Sequence, residues 1–426
     1  MNRVVIIGSG WSGCSAAVTA KKAGADVVLL ERTDMILGLG NVGGIMRNNG
    51  RFTACEENIQ LGAGDLFHIT DRLSRHVNID FPGHKHASLY DVSKIEYEVR
   101  KYLLDMGIDI QLQSRVVDVE KKDSIIENLI LENDEIIEGD VFIECTGSTG
   151  PMGNCLEYGN GCCMCIVRCP SFGPRVSISK KCGVDDIMGQ RKDGSYGAFS
   201  GSCKLDKGSL SEDVVKQLNK TGVVILPVNK EDINESKLQM KVCQQYALRE
   251  YAENIILLDT GHAKLMSSFV PLDKLRKIKG LEKAKYIDPY SGGKGNSIRY
   301  LSMAPRDNFM KINGVDNLFC GGEKSGLFVG HTEAITTGAL AGHNSVRYLK
   351  GLRQLNLPNQ LATGDIIAYA NENIDKEEGL SMRYTFAGSD YFKRMKEKNL
   401  YTTDVEEIKK RVKKLNLDNI YEEKLL

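Results

Sequence analysis

Six of the twelve cysteines lie between Cys155 and Cys182, in the run CLEYGNGCCMCIVRCPSFGPRVSISKKC. Within it Cys162, Cys165, Cys169 and Pro170 spell C-x2-C-x3-C-P, the ending of sequences that wrap an iron–sulfur cluster, with glycine at position 159 where another cysteine would stand. Cys155, Cys163 or Cys182 could complete the set, and Cys155, Cys162, Cys165 and Cys169 are the metal-ligand candidates. Three chemistries remain open: a cluster, a redox thiol pair or nucleophile drawn from Cys163, Cys165 and Cys169 beside Arg168, or buried thiols or a zinc knot without chemistry. His331 is the other catalytic candidate. It follows Gly330 at the start of a predicted helix, where an imidazole can donate a hydrogen bond, move a substrate proton or simply cap the helix. His84 and His86, in FPGHKH, are ligand types that read first as an exposed polar loop.

The elements that must carry these residues begin at the N-terminus. The apolar strand Val4-Val5-Ile6-Ile7 runs into Gly8, Gly10 and Gly13, then an alanine-rich helix, then a second apolar strand ending at Glu31. Gly8 allows the turn, Gly10 lets a pyrophosphate approach the backbone, and Gly13 lets the helix pack on the sheet. The helix N-terminus offers free N–H groups to the phosphates, and Glu31 stands where ribose hydroxyls can reach it. Gly43 and Gly44 would let a later loop pass close to the same ligand. Helical periodicity follows over Ser93 to Met106, and alternation with a turn near Asn133-Asp134 predicts a hairpin over Ile108 to Ile137. The apolar strand of DVFIECTGS brings Thr146 and Gly147 back toward the ligand. Far downstream, Asn317 to Ala341 repeats the logic: a strand, then Gly321, Gly322 and Glu323, then a helix opening at Gly330, His331 and Thr332. A second helix N-terminus aimed at the ligand suits FAD and has no use in an NAD-only enzyme.

The expected fold class is therefore α/β. A Rossmann-like FAD-binding domain is built from residues 1–150 and 300–352, with an inserted α+β substrate domain over 151–299 and a helical extension over 353–426. Only one complete fingerprint is present, so electrons would arrive from a transiently docked nicotinamide, an electron-transfer partner or the cysteine-rich centre.

The chain has 426 residues with 56 basic and 56 acidic side chains, so no net field steers it toward nucleic acid or anionic lipid. The absence of a spanning apolar run and of a leader predicts a cytoplasmic protein with no membrane partner and with reduced thiols. Lys409, Lys410, Arg411, Lys413 and Lys414, interleaved with Glu406 and Glu407, read as a solvated helix face before an RNA contact.

GSGWSGCSAA near the N-terminus, with LRKIKGLE and FCGGEKSGLFVGHTEAITTGALAGHNSVR downstream, resembles the glucose-inhibited division protein A (GidA) family, including its branch of folate-dependent tRNA uracil-5-methyltransferases. The resemblance covers residues 1–50, 140–150 and 265–390. It implies a split FAD-binding fold and, in the family, modification of tRNA uridines. Departures stand at Gly321-Gly322-Glu323 and His331, and no residue here matches the methyltransferase branch's catalytic cysteine, Cys55 lying only in the right region. The reading is an FAD-dependent oxidoreductase, with the flavin exchanging electrons with the cysteine-rich centre or a small-molecule substrate. The alternatives are a flavin- and folate-dependent RNA uracil-modifying enzyme and a non-catalytic flavin-binding subunit.

Overall fold

A computed structural model describes residues 2–147, 171–199, 203–238, 241, 243–267, 270–287 and 298–426. Five strands form an all-parallel sheet: β1 (Arg3–Ile7), β2 (Asp26–Leu30), β3 (Asp109–Gln111), β4 (Val141–Glu144) and β5 (Leu318–Cys320), in spatial order β5-β4-β1-β2-β3. Val4, Val5 and Ile6 are wholly buried because both faces of the sheet are covered, which is why β1 is a continuous apolar run rather than an alternating one. The chain leaves β1 toward β2 on one side and returns as β4 on the other. Such a reversal opens a crevice at the carboxyl ends of the strands.

Two helices pack against each other over this sheet, α1 (Trp11–Lys22) and α3 (His331–Leu349), with α2 (Gly50–Gln60) beside them. Their contact explains the small residues on both. A Cβ on Gly338 would sit 2.2 Å from the Ser12 carbonyl oxygen, and one on Gly342 would sit 2.2 Å from that of Ala16. With the backbones this close, Ser15 Oγ donates to the Ile335 carbonyl and Thr19 Oγ1 to that of Ala339, each at 2.9 Å. Residues 320 apart in the sequence are thus bonded, and both ends of the chain build one layer.

The hairpin expected over Ile108 to Ile137 is redrawn. Asp109–Gln111 pairs in parallel with β2, and the antiparallel sheet starts later, as Val116–Lys122, Ile125–Leu131 and Ile136–Glu138. The backbone groups of 109–111 find partners on the open edge of β2, a choice no local alternation encodes. FPGHKH is likewise a tight connection between strands Ser74–Phe81 and His84–Tyr90, with His84 only 1 % exposed. The ring of His84 lies 4.8 Å from Phe81 and 4.7 Å from Tyr246, centroid to centroid, so aromatic packing draws it inward.

The middle of the chain forms a four-stranded antiparallel sheet, in order Cys203–Leu205, Ala263–Leu265, Asn254–Asp259 and Val223–Pro227. Its alternation separates two faces. Ile255 and Leu257 pack with Val214 and Leu218 of helix Glu212–Thr221, while Ile256 and Leu258 pack with Phe81 and Leu89 of the hairpin. That helix is started by Ser211, whose hydroxyl accepts from Val214 N–H, and stopped by Gly222 at φ +76°. Asp259 locks the two parts together, with Lys207 at 2.5 Å and Arg75 and His76 each at 3.0 Å. Burial alone would raise its carboxyl, but these three partners hold it down at about 2.

The C-terminal helices include α4 (Ala362–Glu372) and helix Val405–Lys414. The latter buries Ile408 and Val412 and leaves Lys410, Lys413 and Lys414 in solvent, the arrangement of a solvated face. No helix among the described residues is long and apolar enough to cross a membrane.

Candidate functional site

A cavity of about 570 Å³ opens at the carboxyl ends of β1 and β4. Gly8 and Gly10, Thr146 and Gly147, and the segments Gly321–Glu323 and Gly330–His331 meet on its wall, together with Glu31 and Gly43. Gly10 carries the most telling geometry: among the described residues, beyond its own chain neighbours, a Cβ there would meet no atom within 4 Å. Its backbone is extended, with φ −63° and ψ −178°, so nothing in the fold itself demands glycine at this position. The space in front of it is the reason. Gly8 is the opposite case, at φ +95° with a Cβ only 2.5 Å from the Cys145 carbonyl oxygen.

Gly13, Gly44 and Thr332 do not line the cavity but stand behind it. A Cβ on Gly13 would be 1.9 Å from the Gly8 carbonyl oxygen, and Gly44 has φ +73° with Thr260 Cγ2 at 2.4 Å from its would-be Cβ. Thr332 is buried with its hydroxyl 3.6 Å from Cys55 Sγ.

Glu31 is held in place from two sides. It accepts the backbone N–H and hydroxyl of Ser9 (3.0 and 2.7 Å) and the N–H of Thr33 (3.0 Å). A carboxylate has about four acceptor sites, so one remains for a hydroxyl in the cavity.

His331 begins α3. Its Nδ1 accepts the Trp11 indole N–H at 2.9 Å and lies 3.0 Å from the Tyr90 hydroxyl, which also donates to the Gly40 carbonyl at 2.6 Å. An indole can only donate, so the ring proton sits on Nε2. Burial, reinforced by Arg51 and Lys264, pushes the imidazole down to about 3. It is neutral at physiological pH and presents an N–H beside Gly43, whose own Cβ would lie 2.2 Å from Nε2.

Buried neutral histidines have a measurable consequence. Burial also pushes His84 down to about 3 and His343 to about 4. Above about pH 6.5 all three are neutral, folded or unfolded. Below it the unfolded chain takes up protons that the folded chain refuses, so stability falls until the folded groups titrate. Each contributes about 1.4 kcal/mol per pH unit inside that window. Urea unfolding between pH 6 and 5 should therefore lose about 4 kcal/mol per pH unit. A slope below that of a single histidine would refute the buried neutral assignments.

Cys155, Cys162, Cys163, Cys165 and Cys169 lie outside the described residues. Cys182, the remaining member of the run, is 2 % exposed in the core that covers one face of the sheet, and burial pushes its thiol up to about 12. Cys55 and Cys145 are likewise buried and pushed up to about 12. Among the described residues no three His, Cys, Asp or Glu side chains gather as a metal site. Gly147 on one side of residues 148–170 and Pro174 and Arg175 on the other all line the cavity.

Sequence reasoning missed the part of the wall that the middle of the chain supplies. Cys203, Lys204, Lys241, Cys243, Gln245 and Lys264, from the middle of the chain, also line the cavity, Lys204 donating to the Asn41 carbonyl and Lys264 to that of Val42. A lysine inside the short apolar strands CKL and AKL was the available signal. Arg51 also reaches this wall. It is tied to Glu333 at 3.1 Å, to Asn48 Oδ1 at 3.1 Å and to the Val329 carbonyl at 2.8 Å.

A sequence model of the family described as glucose inhibited division protein A matches residues 3–270 and 259–353. Among solved structures, the chain is similar to GidA of Aquifex aeolicus in two crystal forms. The form II match has a TM-score of 0.64 at 16% identity, covering 97% of this chain and 76% of that one. The form I match has a TM-score of 0.61 at 15% identity, covering 97% and 78%. No curated protein sequence matches the chain.

Proposed function

The chain belongs to the glucose inhibited division protein A family, and from that premise we propose that it is an FAD-dependent oxidoreductase. The observation that carries the reading is the cavity in front of Gly10, walled by glycine segments from both ends of the chain and, among the described residues, open where a pyrophosphate would lie. Bound FAD would supply a two-electron carrier. The first turn of α1 offers its unbonded N–H groups to the phosphates, and the last acceptor site of Glu31 meets a ribose hydroxyl. At the start of α3, His331 would hold the bound flavin by donating its Nε2–H without changing its own charge. Lys204, Lys241, Cys243 and Lys264, on the same cavity wall, would help exclude bulk water and contact the substrate.

In the finer form of this reading the carrier exchanges electrons with the Cys155–Cys182 segment, as a cluster or as thiols. Supporting it is the position of Gly147, Pro174 and Arg175, the described flanks of that segment, on the cavity wall. Family membership also supports a second reading, an RNA uracil-modifying enzyme that uses folate.

Anaerobic purification, followed by flavin, iron and sulfide analysis, tests these readings. The expected result is one FAD per chain, reducible by a nicotinamide or by dithionite. Iron with acid-labile sulfide would establish a cluster, and its absence with titratable thiols would establish the redox pair. Folate-dependent labelling of uracil in RNA would select the second reading. A chain that neither purifies with FAD nor takes it up on reconstitution overturns the flavin assignment.

A further inference from the structure

Arg32, Arg115 and Arg175 line the cavity together with Glu31. Two of them are committed to the backbone that carries the third. Arg32 donates to the Gly173 carbonyl, and Arg115 Nε to that of Pro174 at 2.8 Å, while Arg115 Nη1 pairs with Glu132 at 2.7 Å. The fit is close: Gly173 has φ +71°, and a Cβ on it would sit 2.7 Å from the Arg115 guanidinium. Downstream the segment is fixed again. Glu144, wholly buried at the end of β4, accepts the N–H groups of Ile178 (2.8 Å) and Ser179 (2.9 Å), and Lys324 donates to Ser177 Oγ at 2.7 Å. Arg175 thus stands on a backbone pinned on both sides.

Arg175 itself is left over. Among the described residues its guanidinium makes no hydrogen bond or ion pair, although Glu31 shares the cavity wall. Its Nη1 lies beside Gly147, 3.4 Å from where a Cβ would stand. Two residues earlier, the Cys145 carbonyl oxygen is the atom that a Cβ on Gly8 would strike. The guanidinium therefore adjoins the turn that leads into α1. That turn has no cation of its own, since Gly8 to Cys14 contains no Lys, Arg or His. Backbone N–H groups and the helix dipole supply only about half a positive charge there, against a doubly charged pyrophosphate. A guanidinium presents a planar fork of donors that matches phosphate oxygens.

We propose that Arg175 is a cofactor-binding residue, which sets its guanidinium against the pyrophosphate of the dinucleotide held at the α1 N-terminus. This rests on the flavin reading, to which it adds the counter-charge that the glycine turn lacks. Arg32 and Arg115, through the Gly173 and Pro174 carbonyls, fix the backbone that presents it. The chain returning from residues 148–170 is in this way part of the cofactor site.

FAD, ADP and adenosine serve as probes on the purified full chain. FAD affinity is read from the flavin fluorescence released on dilution, and ADP and adenosine are titrated as competitors of FAD rebinding. In Arg175→Gln, FAD and ADP should bind about tenfold more weakly or worse, because a charge-assisted contact to phosphate is lost. Adenosine carries no phosphate and should bind as it does to wild type. Arg175→Lys should recover part of the ADP affinity, as a point charge without the fork. The unfolding midpoint of flavin-free Arg175→Gln should match that of the wild-type apoprotein, since no described residue is bonded to the guanidinium. Unchanged ADP affinity in Arg175→Gln, or an equal loss for ADP and adenosine, overturns the proposal. Failure of the flavin reading shows separately, as a wild-type chain that binds neither FAD nor ADP, and the assignment of Arg175 then falls with it.

Discussion

Gly10→Val should give a folded protein that carries no FAD. The new side chain enters open space, since among the described residues, beyond its chain neighbours, no atom lies within 4 Å of its Cβ, and the extended backbone at this position admits any residue. The unfolding midpoint of the flavin-free protein should therefore stay near that of the wild-type apoprotein. The valine methyl groups would occupy the volume in front of the α1 N-terminus, where the phosphates must approach N–H groups to within hydrogen-bond distance. FAD affinity should fall by at least a hundredfold. Gly13→Val is the control with the opposite signature. Its Cβ would sit 1.9 Å from the Gly8 carbonyl oxygen, so α1 could not pack on the sheet and the protein itself should be lost. Flavin absorbance per chain and urea midpoints read both. A Gly10→Val protein that purifies fully loaded with FAD would show that the fingerprint serves something else.

Glu333→Ala should be among the most destabilising single substitutions. Glu333 is fully buried in the first turn of α3 and receives Arg51, the Thr385 hydroxyl (2.8 Å) and the Phe386 N–H (2.8 Å). Burial alone would lower the proton affinity of the Arg51 guanidinium, and Glu333 more than offsets it. Removing the carboxylate leaves a buried, uncompensated arginine and two orphaned donors, a loss of about 3–5 kcal/mol. The Arg51→Met/Glu333→Leu pair should recover much of that loss, because no charge is then stranded. Arg51 also touches the cavity through Gly330, whose Cβ would be 2.0 Å from its Nη2. Flavin affinity should therefore drop with Glu333→Ala even under conditions where the protein stays folded. Urea unfolding and flavin titration check both expectations, and a stability loss under about 1 kcal/mol would contradict this account of a buried ion pair.

The residues that announce the cofactor cavity are those whose local backbone demands leave a mark in the chain. Gly8 needs a positive φ, Gly13 a missing Cβ, and β1 and β2 a run of apolar residues, and each requirement is met within a few positions of the residue itself. The same holds for Thr146-Gly147, for Gly321–Glu323 and for the small-residue helix that opens at His331. Period and glycine spacing were enough to say that both chain ends serve one cavity, although not which atoms touch.

Tertiary structure alone decided the rest. The parallel pairing of Asp109–Gln111 depends on the open edge of β2, and the burial of His84 depends on Phe81 and on Tyr246, which lies far off in the chain. The neutral Nε2–H form of His331 depends on Trp11, 320 residues away. The lysine wall is the clearest case. Lys204 and Lys264 become neighbours only through the register of two strands some sixty residues apart, and a charge has no periodicity that would reveal what it comes to face. Local sequence encodes what a backbone must do at its own position. Electrostatic environment is a sum over whatever the fold brings near, so it exists only once the chain has closed on itself.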